Sequence, residues 1–187
     1  VTLNKKLVGF DIGPGNGPLD KLIEKKLKLS MDKDGSLARS GLINKKIKEK
    51  TFKLLNKEMN SKSFDRAELD GYCLKYLNSL STADGLATLV DLISDFIEIK
   101  IKKYSIKNLI ITGGGRKNKT LVNAIQNKIE NKLFIAENLK LDGDSIEAQA
   151  FAYLAIRSFK GMPYTYINTT GVKKSCSGGV LHNIFSN

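Results

Sequence analysis

At 187 residues and 41% hydrophobic content, the chain can bury a core and is long enough for one domain, or one domain with part of a neighbour. Its formal net charge of +12 rests almost wholly on lysine, with only four arginines; nucleic-acid readers favour arginine for planar bidentate contacts and no aromatic stacking motif is present, so the charge reads as solvated surface and no nucleic-acid partner is expected. No apolar stretch approaches the roughly 20 residues that cross a bilayer, Cys73 and Cys176 fit no metal-ligand spacing, and His182 stands alone, so neither a membrane partner nor a metal held by the protein is expected, and the thiols read as free in a reducing cytosol.

The start, Val1-Thr2-Leu3-Asn4-Lys5-Lys6, has no long apolar run after its lysines, which speaks against a signal peptide. A chain that opens on Val and enters a strand almost at once is expected to be a piece of a longer one. Thr2-Leu3, Asn4-Lys5-Lys6 and Leu7 to Phe10 read as the second half of a β-hairpin, with Leu7–Phe10 as the strand. Residues 18–29 read as a helix, with Pro18 at a first helical position and Asp20 near the positive end of the dipole. Asp32-Lys33-Asp34-Gly35 is a turn, residues 36–58 are helical with a break near Gly41, and Asn60-Ser61-Lys62-Ser63 is a loop. Asp65 is placed to cap a helix from Arg66 to about Leu77. Ser81-Thr82 opens the longest helix, whose Leu86, Leu89, Val90, Ile93 and Ile97 form one apolar face.

Asn108 to Thr112 has the composition of a fully buried strand. Gly113-Gly114-Gly115 follows, then a helix from about Lys119 to Ile129 and a strand from Lys132 to Ala136. Gly143-Asp144-Ser145 begins a helix carrying Glu147, Phe151 and Phe159, which Gly161 and Pro163 end. The tail from Thr165 to Asn187 holds a loop and a short closing segment. Strand, helix, strand, helix with short connections argues for a parallel α/β sheet.

Three segments set glycines or carboxylates at element junctions: Asp11 with Gly13-Pro14-Gly15-Asn16, the triple glycine, and Asp142-Gly143-Asp144 with Glu147. Glycines allow positive φ and close approach of a ligand to backbone. In a parallel sheet, ligands sit beyond the carboxyl ends of the strands, so Asp11 and Gly113–Gly115 are expected to face one crevice. The triple glycine suits a flat ring or a phosphate. It is neither a Walker A loop, since no Gly-Lys-Ser/Thr follows, nor a Gly-x-Gly-x-x-Gly turn.

Four motifs occur in order: Gly9-Phe10-Asp11-Ile12-Gly13-Pro14-Gly15-Asn16, Lys62-Ser63-Phe64-Asp65-Arg66, Thr112-Gly113-Gly114-Gly115-Arg116-Lys117-Asn118 and Gly143-Asp144-Ser145-Ile146-Glu147-Ala148-Gln149-Ala150-Phe151-Ala152. Together they resemble the C-terminal half of bacterial anhydro-N-acetylmuramic acid kinases, and Gly161-Met162-Pro163, Thr170-Gly171 and Gly179-Val180-Leu181 resemble the tail of that family. The resemblance implies an α/β, ribonuclease-H-like domain of the actin-like ATPase superfamily over residues 1–187. This would be the C-terminal domain of a two-domain kinase, without its first strands and without the N-terminal phosphate-loop domain. It implies ATP with Mg2+, cleavage of an intramolecular anhydro bond by water, and phosphorylation to N-acetylmuramic acid 6-phosphate in cytoplasmic cell-wall recycling. A homodimer is also implied.

By the same resemblance Asp11 is the catalytic base. Glu147, Asn16 and Gly13 contact the sugar, and Gly113, Gly114, Gly115 and Asn118 contact ATP. Lys62 and Arg66 read first as surface charges. The family's Met-Ser-Gly-Thr-Ser-x-Asp-Gly loop and the Asn-Ile-Gly-Gly-Ile-Ala-Asn-type hairpin are absent, the usual Pro-Pro is Asn60-Ser61, and His182 stands where Gly is usual. The chain alone is therefore expected to be marginally stable and inactive. The competing reading is a non-catalytic product of a split or decayed gene, and a basic nucleic-acid-binding domain ranks below both.

Overall fold

In the computed structural model, which describes residues 2–3, 6–59 and 65–182, the lysine-rich stretches form helices and two short apolar runs form a parallel strand pair. The elements in chain order are β1 (Thr2–Leu3), β2 (Lys6–Leu7), α1 (Gly17–Leu27), α2 (Ser36–Ser40), α3 (Lys45–Met59), α4 (Arg66–Leu74), α5 (Thr82–Lys103), β3 (Asn108–Ile111), α6 (Lys119–Lys128), β4 (Lys132–Ile135), α7 (Ile146–Phe159) and α8 (Ile167–Thr170). Tight 3-10 turns occur at Lys33–Gly35, Leu77–Ser79, Gly114–Lys117 and Ala136–Leu139. The chain divides into two compact units, residues 12–141 and residues 1–11 with 142–187.

The first unit is built on α5. Ser81 starts this helix by accepting a hydrogen bond from the Asp84 N–H at 3.1 Å, and Lys100, Lys102 and Lys103 sit at its negative end. The expected single apolar face is too narrow. Gly85 to Val90 is an unbroken buried run, and Leu92, Ile93 and Phe96 are buried as well, because α1, α2, α3 and α6 all pack on the same helix. Its buried polar side chains are satisfied: Thr88 Oγ1 accepts from the Asn44 N–H at 2.9 Å, and Ser94 Oγ donates to the Asp91 carbonyl at 2.8 Å. Lys48 of α3 and Lys128 of α6 converge on Asp91 and Asp95 of α5. Lys48 Nζ lies 2.5 and 2.8 Å from the two carboxylates, Lys128 Nζ lies 2.5 Å from Asp91, and Lys128 also contacts Asp95. Burial alone would raise Asp91 and lower Lys48. The opposite charges outweigh it, holding the Asp91 carboxyl below, and the Lys48 ammonium above, their ordinary values.

The break near Gly41 separates α2 from α3. Asp65 caps α4 as expected, accepting from the Ala67 N–H at 2.8 Å. α4 ends at Leu74, short of Leu77: the Lys75 N–H bonds to the Tyr72 carbonyl at 3.4 Å, an i to i−3 link that tightens the chain out of the α-helix. β3 and β4 pair in parallel, Asn108 with Lys132 through Ile111 with Ile135, and α6 forms the crossover. The fully buried strand expected at residues 108–112 is not found. Along β3 exposed and half-buried residues alternate and Ile110 is 48% exposed, because a sheet of two strands leaves one face of β3 uncovered.

In the second unit β1 and β2 form an antiparallel pair, Thr2 with Leu7 and Leu3 with Lys6. The strand expected over Leu7–Phe10 stops at Leu7, since a two-residue ladder gains too few cross-strand bonds to extend. The Gly9 N–H instead donates to the Asn168 carbonyl at 3.0 Å. Residues 157–176 carry hydrogen bonds that the sequence does not indicate. Arg157 Nε and Nη1 donate to the Pro163 carbonyl at 2.9 Å and to the Tyr153 hydroxyl at 3.0 Å, and Thr165 bridges Cys176. No residue of α7 is buried. No described helix is long and apolar enough to cross a membrane.

Candidate functional site

Two glycine-bearing turns meet in the unit of residues 12–141. The first runs from Ile12 to Asn16 into α1, where Pro18 falls in the first two helical positions as expected. Gly13 and Gly15 are free to adopt positive φ, and neither does. Gly13 is needed for contact instead: a Cβ there would lie 2.8 Å from Phe96 Cγ, so α5 packs directly on the bare backbone. The second turn follows β3. Gly113 has φ 70° and ψ −173°, a combination essentially restricted to glycine. A Cβ on Gly113 or Gly114 would meet nothing within 4 Å, so their backbone lies open. On Gly115 it would come 3.7 Å from Asn16 Cβ, which brings the two turns into contact.

The second turn is held by a residue that the sequence reading passed over. Arg116 is buried, with its side chain 3% exposed. Its Nη1 donates to the Gly113 carbonyl at 2.9 Å and its Nε to Glu137 at 2.8 Å. An arginine directly after three glycines was the available signal, since a guanidinium can span a turn and still reach a carboxylate. Asn118 caps α6, its Oδ1 accepting from the Leu121 N–H at 3.0 Å. Its oxygen is thus committed to the helix.

Asn16 lies at the centre of this arrangement. Its Nδ2 donates to Asp20 at 2.8 Å, which fixes the amide orientation. Among the described residues its Oδ1 is buried without a hydrogen-bond partner, a state that costs about 1–3 kcal/mol. Asn16, Asp20 and Gly114 line two cavities. One, about 710 Å³, extends along Ile12–Gly17, Leu109–Thr112 and the α5 residues Ile93 and Ile97. The other, about 690 Å³, extends over Met31–Asp34, the start of α6, Ile135 and Glu137. Both have the size of small-molecule sites.

Gly13, Asn16, Gly114, Gly115 and Asn118 are therefore brought together around these cavities. Asp11 and Glu147 belong to the other unit, where both are exposed. Glu147 sits in the first turn of α7. Asp11 lies four residues past the end of β2 rather than at a strand end, for the reason given above. Asp142 serves its own turn: hydrogen bonds from Ser145 Oγ and the Asp144 N–H hold its carboxyl below the usual range. Lys62 lies outside the described residues, Arg66 opens α4, and His182 is exposed. Among the described residues, no group of three or more His, Cys, Asp or Glu side chains could hold a metal ion.

Comparison with known proteins matches residues 1–184 to the model of the anhydro-N-acetylmuramic acid kinase family. The chain is 37% identical to the anhydro-N-acetylmuramic acid kinase of Pelagibacter ubique over 95% of its own length and 49% of that protein's. It is 34% identical to the enzyme of Roseobacter denitrificans and 36% identical to that of Rhodospirillum rubrum, over 92% of this chain and 46% of each relative. It thus spans about half the length of the curated relatives it matches. The chain, an α/β protein of mostly helices with a small parallel sheet, belongs to the anhydro-N-acetylmuramic acid kinase family.

Proposed function

We propose that this chain is the C-terminal portion of an ATP-dependent kinase that opens anhydro-N-acetylmuramic acid with water and phosphorylates it to N-acetylmuramic acid 6-phosphate. The observation that carries the reading is the family match over residues 1–184. The meeting of the Gly13–Asn16 and Gly113–Gly115 turns on shared cavities supports it. Within this reading the domain is ribonuclease-H-like. Asp11 is the general base, withdrawing a proton from water as the water oxygen bonds to the anomeric carbon and the anhydro C–O bond breaks. The oxygen released then attacks the γ-phosphorus of ATP and ADP leaves. That second step depends on positioning and on Mg2+ rather than on covalent help from the protein.

Glu147, Asn16 and Gly13 are assigned to the sugar, and Gly113, Gly114, Gly115 and Asn118 to ATP. The open backbone at Gly113 and Gly114 leaves the room such a ligand needs. Mg2+ usually binds through one or two carboxylates together with substrate phosphates, so the reading requires no acidic cluster in the protein. The other half of the enzyme, a homodimeric assembly and cytoplasmic cell-wall recycling belong to the same proposal.

The 187-residue chain by itself is expected to turn over no anhydro sugar with ATP. In a protein of the relatives' full length, Asp11→Asn is expected to abolish phosphorylation while ATP still binds. Undiminished turnover by that variant would remove Asp11 from its role. A second reading is a chain with no catalytic role. Activity regained on adding the complementary half of a relative would exclude it.

A further inference from the structure

We propose that the corner between α2 and α3, together with the exposed face of α3, is a docking surface for an anionic lipid bilayer. Lysines of α3 meet the lipid phosphates, and Leu42 and Ile43 enter the headgroup layer. The proposal is independent of the kinase reading.

The lysines of α3 differ from the other lysines of this unit. Those that close α1 and α5 sit at negative helix ends, where the dipole favours them. Lys48 and Lys128 answer Asp91 and Asp95. In α3, Lys45 and Lys46 occupy the first turn, which holds no acidic residue. Cations at that end of a helix cost stability, so the fold gives no reason for them. Lys46, Lys50, Lys53 and Lys57 then recur at helical spacing on the exposed side, a line of about 16 Å. Glu49 shares that side and is spent on Lys53 at 2.7 Å. Among the described residues no ion pair holds Lys45, Lys46, Lys50 or Lys57, and Arg39 is exposed at the end of α2.

The partner is identified by what stands beside the charge. Leu42 is 79% and Ile43 47% exposed, directly before the lysines. Their segment is fixed from behind: the Leu42 N–H donates to Asp84 at 2.8 Å and the Asn44 N–H to Thr88 Oγ1 at 2.9 Å. Asn44 Oδ1 accepts from the Ile47 N–H at 3.0 Å, which anchors the start of α3. Two apolar side chains are thus held outward beside a basic helix face. A nucleic-acid backbone offers them nothing, whereas a lipid headgroup layer takes both the charges and the apolar pair. Such a contact lies on the membrane and needs no spanning helix, whose absence was the ground for expecting no membrane partner.

The test sediments the 187-residue chain, at about 0.15 M salt, with vesicles of phosphatidylglycerol and phosphatidylcholine in equal parts, and with phosphatidylcholine alone. Binding to the anionic vesicles only is expected. Lys45→Glu with Lys46→Glu is expected to weaken it about tenfold or more. Lys50→Glu with Lys57→Glu, beyond the first turn, is expected to act likewise and guards against a folding defect in the first pair. Lys173→Glu with Lys174→Glu makes the same change in net charge at exposed positions of the other unit, and is expected to stay within about twofold. Leu42→Ser with Ile43→Ser is expected to weaken binding about tenfold with the circular dichroism unchanged. No binding to anionic vesicles would overturn the proposal. So would an equal loss in the Lys173 and Lys174 variant, which would mean diffuse charge, or parent-like binding by the Leu42 and Ile43 variant. A short DNA duplex held as tightly as the vesicles, through the same lysines, would make this a polyanion surface and not a lipid one.

Discussion

α5 and α7 are the two most apolar of the longer described helices, and they differ in burial. α5 has eleven buried residues and four helices packed around it. α7 has none, with Phe151 65%, Ile156 57% and Phe159 74% exposed. The two carry similar apolar side chains, so composition does not separate them. α5 lies in the midst of elements that supply cover, whereas α7 is accompanied in its unit by a two-residue hairpin, a one-turn helix and a bridged tail. A helix buries its apolar side only where neighbours with matching surface exist.

The largest expected effect tests this contrast directly. Leu89→Ala, at a fully buried position of α5, is expected to cost about 2–5 kcal/mol. Phe159→Ala in α7 is expected to stay within about 0.5 kcal/mol. Urea unfolding followed by circular dichroism measures both, and equal losses would mean that α7 is as tightly covered as α5.

A smaller contrast lies inside the second turn. Gly113→Ala forces a side chain onto φ 70° and ψ −173° and is expected to cost about 1–3 kcal/mol. Gly114→Ala meets open space without positive φ and is expected to be neutral or stabilising by up to about 1 kcal/mol. Thermal unfolding of the two variants side by side gives the difference, and a reversed order would show that the turn has another backbone conformation in solution.

The ion quartet of α3, α5 and α6 sets the pH response of the well-packed unit. Asp91 is held below its ordinary value in the folded chain. Its stabilising contribution is therefore present above the unfolded carboxylate value, near 4, and is lost as pH falls through the lower folded value. Lys48 is held above its ordinary value. Its contribution is present below the unfolded lysine value, about 10.4, and is lost as pH rises through the higher folded value. The melting temperature of the parent chain should fall on both sides of this window, and Asp91→Asn should flatten the acid side. An acid limb unchanged in Asp91→Asn would assign it to other groups.

The smallest effect concerns the two thiols. Burial, reinforced by nearby Asp70, pushes Cys73 up to about 12, while Cys176 is exposed. At pH 8 a maleimide reagent should modify Cys176 within minutes and leave Cys73 untouched until the chain unfolds. Rapid modification of both would mean that the core around α5 opens readily.

Local features were legible where chemistry acts between near neighbours. Asp65 and Ser81 bond to N–H groups two and three residues ahead, so the sequence locates both helix starts. The break at Gly41 and the strand–helix–strand order around Gly113–Gly115 were legible for the same reason. Of the site, Gly13, Asn16 and the triple glycine could be chosen from motifs. Arg116 lay in the same motif but was harder to choose, because its partner is a carboxylate 21 residues away.

What the sequence determined by itself is most of the helices, the caps at Asp65 and Ser81 and the family, since capping, turn formation and motif spacing depend on residues a few places apart. Tertiary structure decided the rest. It left one face of β3 uncovered and ended β2 at Leu7, for want of neighbouring strands. It gave Gly13 a packing role against Phe96 and paired Arg116 with Glu137 and Lys119 with Asp34 beside the 690 Å³ cavity. Burial and charge pairing depend on which surfaces meet, and a linear pattern of residues does not contain that information.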